Sequence, residues 1–244
     1  GFKKVRNRTY PVTERYGHIW VFSAETASHD LPRPTLSENR PFTARMVKEV
    51  KLFAHHHVMM ANGIDLQHFS AVHGLDIDFD YEVRDTQNGV FEWTLKGTLP
   101  TNSRKARLAR YVLGPTYEYH VTFAGGSTVM ITYGAHQFFK GIRLPALHVL
   151  WGCLPQVNGV SIARVFFLSP VYGGVLGSLK VWLTYFLTFV LVSMLRDEDV
   201  YAFPNMRFNA HQLIKEDRSL GRLIQLTNQL PLSDWGKTDD AKQS

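Results

Sequence analysis

The chain has 244 residues, of which 45% are hydrophobic and 20% charged, and it carries a formal net charge of +6 with eleven histidines and one cysteine. That length and apolar content suit one compact domain with a sizeable core and exclude an intrinsically disordered chain. The lone Cys153 excludes an intrachain disulfide and a cysteine-rich zinc or iron–sulfur cage, and it fits a reducing compartment, the cytoplasm.

The basic residues concentrate in GFKKVRNR at the start and in SRKARLAR at 103–110. The second run lacks interleaved aromatic rings and follows the turn-like LPTNS, so it reads as a solvated loop or strand edge and nucleic acid is set aside as a partner. GFKKVRNRTYPVTERYG has no apolar segment after its basic residues, and no signal peptide is expected.

In chain order, HIWVFSA (18–24) alternates as a strand does, and HDLPRPTLSENRPF is a proline-punctuated connector. Residues 44–60 read as a strand feeding a helix that starts near Asn62, a good N-cap residue. YEVRDTQNGVFEWTLKGTL follows as a hairpin with Asn88-Gly89 at its turn. Further strands are expected in YEYHVTF, TVMITYG, HQFFKGIRL, LHVLWGCL and VSIARVFFLS. After Pro170 the period changes, and long apolar helices are expected over 176–197 and 207–229. The uncharged run VWLTYFLTFVLVSML, residues 181–195, is shorter than the roughly 20 residues a bilayer core needs, so a helix buried on a sheet is expected and membrane contact is not favoured. Strands in succession followed by helices imply an α+β fold, an antiparallel β-sheet covered by helices.

The chemistry concentrates in NGIDLQHFSAVHG, residues 62–74, which holds Asn62, Asp65, His68 and His73. At about 100° per residue on a helix, Asp65 and His68 are neighbours, whereas His68 and His73 lie about 140° apart and share a site only if the helix ends between them. Gly74 makes such an end plausible. Two imidazoles suit a first-row metal that a distant carboxylate would complete, leaving open positions opposite, and Asp197, Glu198 and Asp199 in RDEDVYAF are the candidates. A second cluster, His55-His56-His57, reads as part of a strand in which at most two rings face one way.

These motifs resemble the catalytic domain of Rieske-type non-haem iron oxygenases. NGIDLQHFSAVHG is similar to that family's N-x-x-D-x-x-H-x4-H segment, YPVTERYGHIWVF to the passage out of the Rieske domain, and MLRDEDVYAF to the segment of the third ligand. The resemblance implies a helix-grip fold related to steroid-transfer domains. It makes His68, His73 and Asp199 the Fe(II) ligands, with Asp197 and Glu198 as fallbacks. Asp65 becomes the link to a neighbouring subunit's Rieske cluster, and Asn62 a partner around the metal.

A Rieske [2Fe–2S] cluster needs two cysteines and two histidines, which Cys153 alone cannot provide. The resemblance therefore implies an excised catalytic domain, with 1–25 as the remnant of the junction, 26–235 as the mononuclear-iron domain and 236–244 as a disordered tail. It further implies O2, electrons from NAD(P)H through a reductase or ferredoxin, a homotrimer in the full-length protein, and hydroxylation or oxidative demethylation of an apolar ring-containing substrate in preference to dioxygenation. Phe69, Phe186 and Phe189 could line its pocket. The alternative is a lipid or hydrophobe carrier of the same fold, without a metal.

Overall fold

The computed structural model describes residues 8–36, 40–86, 89–134, 137–138, 142–143, 145–156, 159–202, 213–231 and 233. Its centre is a seven-stranded antiparallel sheet built from β3 (Phe42–Leu52), β4 (Asp78–Asp85), β5 (Val90–Thr98), β6 (Thr116–Ala124), β7 (Thr128–Tyr133), β10 (Leu147–Pro155) and β11 (Ser161–Pro170). The spatial order is β3-β11-β10-β7-β6-β5-β4, so β3 and β4 form the two edges. A ribbon of β1 (Val12–Arg15) and β2 (His18–Val21) and a two-residue pair, β8 (Gln137–Phe138) with β9 (Ile142–Arg143), stand apart from it.

Period-two alternation sorts the side chains onto the two faces. Tyr117, Tyr119, Val121, Phe123, Val129, Tyr133, Val149 and Val165 join the main core under the helices. Met130, Leu150, Phe166 and Leu168 point the other way, where Tyr16, Trp20 and Phe42 cover them. The covering ribbon turns at Tyr16 and Gly17, both at positive φ, between the paired residues Arg15 and His18. That is the primed two-residue turn whose twist matches a hairpin. The hairpin expected around Asn88-Gly89 is present as β4 and β5, although Asn88 lies outside the described residues.

Five α-helices complete the described fold: α1 (His56–Asn62), α2 (Leu66–Ala71), α3 (Arg104–Leu113), α4 (Gly174–Ala202) and α5 (Arg218–Asn228). Three expectations are corrected here. Asn62 ends a helix instead of capping one, because the chain turns into helix directly after β3 with His55 as N-cap. SRKARLAR is helix α3, started by Ser103, whose hydroxyl accepts from the Ala106 N–H, and not a loop or strand edge. α4 is only partly buried: it lays Tyr185, Leu187, Leu191 and Val192 on the core, yet just 17% of its most apolar stretch is covered. Val175, Leu176, Leu179, Trp182 and Phe186 face outward, since a sheet can cover only one side of a helix that is apolar all round. By length and composition Gly174–Ser193 is long and apolar enough to cross a membrane. Of the helix expected over 207–229 only Arg218–Asn228 is α-helix, as α5, because Ile214 is extended and a 3-10 turn at Lys215–Asp217 precedes it; residues 203–212 and the tail 236–244 lie outside the described residues.

One titratable group is locked into the sheet away from the helices. His148 is 1% exposed, bonds Thr132 Oγ1 through Nδ1 at 3.0 Å and meets the Phe42 ring edge-on. Burial pulls its pKa from 6.5 down to about 4. A lowered folded pKa means that between those values the unfolded chain binds the extra proton, so stability rises with pH across that window. Taking the protein from pH 7 to pH 5 is expected to cost about 2 kcal/mol through this group. Urea midpoints measured for the protein and for His148→Gln check it, the variant losing that part of the slope.

Candidate metal centre

The site follows from the edge positions of β3 and β4. The chain leaves β3 at one edge and must reach β4 at the other, six interstrand gaps or roughly 29 Å away. It crosses the inner face of the sheet as α1 and α2, and α4 comes back over the same face after β11. The histidine-bearing segment and the acidic end of α4 are therefore laid against each other.

Asp65 begins α2. Its Oδ1 accepts from the backbone N–H groups of Gln67 (3.1 Å) and His68 (3.2 Å), which makes it the N-cap. Desolvation raises its pKa, and those two N–H bonds together with the His68 ring act against the rise. α2 is six residues long and ends at Ala71; Gly74 then takes φ +62 and donates its N–H to the Ser70 carbonyl at 3.1 Å. That reversal brings the second imidazole back as the spacing requires. The His68 and His73 ring centroids are 4.6 Å apart and perpendicular, and the two residues are only 4% and 3% exposed.

Asp199 supplies the carboxylate. Its Oδ1 lies 2.7 Å from His68 Nε2 and 3.3 Å from His73 Nε2. His68, His73 and Asp199 thus offer three ligand atoms mutually within 4.8 Å. Of the fallbacks, Glu198 is engaged differently, and the side chain of Asp197 lies outside the described residues. Glu198 Oε2 sits 2.7 Å from His73 Nδ1, and the Lys105 ammonium donates to both of its oxygens at 2.6 and 2.8 Å. Although desolvation works against it, hydrogen bonds from Lys105 and His73 hold the Glu198 carboxyl below its ordinary range. An ionised Glu198 accepts the His73 Nδ1–H, which leaves Nε2 as the lone-pair nitrogen turned toward Asp199. Burial likewise lowers the His73 pKa, against the pull of both carboxylates, and favours the neutral ring a metal requires. Two imidazole nitrogens and one carboxylate oxygen gathered within 4.8 Å of one another are the donor set of a 2-His-1-carboxylate centre. The residues fit a first-row divalent metal.

The centre opens into a cavity of about 230 Å3 between the inner face and α4. Phe69 and Phe189 line it as the sequence suggests; Phe186 does not, and instead stacks on Trp182 with ring centroids 5.6 Å apart. A register shift opposite Val165/Phe166 leaves Val47 as an extra residue in β3, so the consecutive Val47 and Lys48 both reach the cavity rim. Two polar atoms on the wall, Asn62 Oδ1 and Trp151 Nε1, are buried without a partner. The Tyr119 hydroxyl donates to the Gly63 carbonyl at 3.0 Å, tying the α1–α2 junction to the sheet. Burial raises the pKa of Tyr119 and Tyr133, so both stay protonated.

Sequence reasoning missed Lys105, Tyr119, Tyr133 and Trp151, and it took Glu198 only as a fallback ligand. A signal existed for Lys105, since Ser103 before a run of strong helix formers marks a helix start. None existed for its meeting Glu198, 93 positions on.

The Asp65 cap has a measurable consequence. Asp65→Ala is expected to cost about 1 kcal/mol, while Asp65→Asn, an equally good N-cap, stays near the parent protein. Denaturant midpoints of the two variants check this.

No family model matches the chain, and neither does any curated protein. Solved structures do match. The chain is similar to dicamba monooxygenase bound to 3,6-dichlorosalicylic acid, with TM-score 0.53 and 15% identity, covering 91% of this chain and 69% of that one. The terminal oxygenase of carbazole 1,9a-dioxygenase from Novosphingobium sp. KA1 gives TM-score 0.60 and 13% identity over 93% and 68% of the two chains. NdmA of Pseudomonas putida CBB5 with caffeine gives 0.56 and 12% over 94% and 69%. The chain thus spans about two thirds of the length of these proteins. At such identities the likeness is one of fold, the α+β fold that this chain shares with these oxygenase structures.

Proposed function

We propose that this chain, which has the fold of a Rieske-type oxygenase catalytic domain, holds mononuclear Fe(II) on His68, His73 and Asp199 and hydroxylates or oxidatively demethylates an apolar ring-containing substrate. The observation that carries the reading is the convergence of two buried imidazoles and one carboxylate from segments more than 120 positions apart, at the mouth of an apolar cavity. Iron bound there supplies O2 activation, with two electrons drawn ultimately from NAD(P)H.

The remaining work belongs to the chain's own residues. Glu198, braced by Lys105, keeps the proton of His73 on Nδ1 and the lone pair of Nε2 toward the metal position. The aromatic walls from Phe69, Phe189 and Trp151 exclude water and hold a flat substrate beside the site. Trp151 Nε1–H and Asn62 Oδ1 offer one donor and one acceptor, so the substrate class is a ring compound with at least one polar atom at its edge. Asp65, whose carboxylate touches the first turn of the helix bearing His68, is the inlet for electrons from a neighbouring subunit's [2Fe–2S] cluster in a full-length homotrimer. Reductase or ferredoxin serves that cluster.

Iron titration of the tag-free chain is expected to give one Fe(II) per chain, with affinity falling at least 100-fold in His68→Ala and Asp199→Ala. Protein that takes up no iron yet still binds carbazole or caffeine, read by Trp151 fluorescence, would sink the oxygenase reading in favour of the hydrophobe carrier. Glu198→Gln, which keeps the shape but loses the charge, is expected to weaken Fe(II) about 10- to 100-fold without altering the fold, as circular dichroism and the same titration would record.

A further inference from the structure

The three consecutive histidines between β3 and α1 do not alternate along a strand. His55 is the N-cap, with φ −63 and ψ 140, and His56 and His57 are the first residues of the helix. Three successive residues within a helix would fan out by about 100° each. The extended cap residue folds its ring back over the first turn instead. Ring centroids of 4.2 Å (His55 to His56), 4.7 Å (His55 to His57) and 4.2 Å (His56 to His57) follow. One nitrogen from each ring lies within 4.8 Å of the other two, and no carboxylate belongs to the group.

The cluster also holds an unsatisfied atom. His56 is 8% exposed, and its Nδ1 is buried with no hydrogen-bond partner. The His57 ring lies beside Gly126, in the turn between β6 and β7, with Nε2 close enough to touch a side chain placed there. His56 Nδ1 is thus an unsatisfied nitrogen in a buried place. A buried polar atom facing nothing is destabilising, and a cation is one way to satisfy it.

We propose that His55, His56 and His57 form a second metal site, for a borderline divalent cation of the Zn(II) class, which pins the start of α1 to the β6–β7 turn. An all-imidazole set without carboxylates suits Zn(II) or Cu(II) and not Mg(II) or Ca(II). Metal–nitrogen distances of about 2.0–2.1 Å place tetrahedral donors about 3.3 Å apart, so the rings close inward on binding. His55 then gives up its weakest tie, the 3.3 Å bond by which Nδ1 accepts from the His57 N–H. The metal takes over the fastening of the helix start. Because α1 also carries Met59, Met60 and Asn62 to the cavity wall, occupancy of this site sets the position of that wall.

The test uses the tag-free full chain as the double variant His68→Ala, Asp199→Ala, in which two of the three proposed iron ligands are removed, titrated with Zn(II) against a chromophoric chelator. One Zn(II) per chain is expected, with a rise in unfolding temperature. His56→Ala abolishes both. His55→Asn, which keeps a good N-cap acceptor and so preserves the fold, weakens Zn(II) at least tenfold. Absence of Zn(II) binding by the double variant overturns the proposal, as does an affinity unchanged by His55→Asn and His56→Ala. Since the proposed iron site has already lost two of its three ligands and the His55 and His56 variants lie outside it, neither result depends on the oxygenase reading.

Discussion

A seven-stranded sheet whose third and fourth strands in sequence stand at opposite edges obliges the chain between them to cross a whole face. That crossing is the constraint on which everything functional rests. It carries polar, histidine-rich residues over the inner face, where an apolar core would otherwise close up. It also sets the place where α4, returning over the same face, can bring its carboxylates. The cavity is what remains between the crossing segment, α4 and the alternating apolar residues of the strands beneath. In most sheets an inward-facing imidazole pair would be an expense in desolvation. Here each ring finds a carboxylate at 2.7 Å.

The electrostatics of the centre are arranged in layers. Lys105 holds Glu198 ionised, Glu198 orients His73, and Asp199 stands between the two imidazoles. A metal dication would meet one formal negative charge directly and a second one through His73, while Lys105 balances the second from outside. Such a graded arrangement holds His73 in the tautomer that a metal would need. The Lys105 contact depends on α3, an element that sits between neighbouring strands and contributes nothing to the cavity.

Legibility in the sequence varied with the range of the interaction. The strands β4 to β7, β10 and β11 were readable because their alternation is a local property of consecutive side chains on a pleated surface, whereas HQFFKGIRL, expected as one strand, holds the short paired strands β8 and β9. The pairing of His68 with His73 was readable because Gly74 lies within the same short segment and permits the reversal. The start of α1 was not, since three histidines after a β-branched stretch carry no cap signature, and the His55 cap is recognisable only once the chain has turned. Apolar residues all round α4 concealed which side would be covered. The identity of the carboxylate ligand among three adjacent acids was equally hidden, because neighbours on a helix point about 100° apart and only the sheet beneath decides which one looks inward.

By itself the sequence determined the fold class, through local alternation and long apolar runs, and the return of His73 toward His68, through the spacing of these residues and Gly74. Tertiary structure alone decided that Asp199 faces both rings, that Glu198 braces His73 with the help of Lys105, and that His55, His56 and His57 gather at a single turn. Those outcomes depend on where distant strands and helices are set against one another, and that is fixed by the burial of the whole inner face and not by any local pattern.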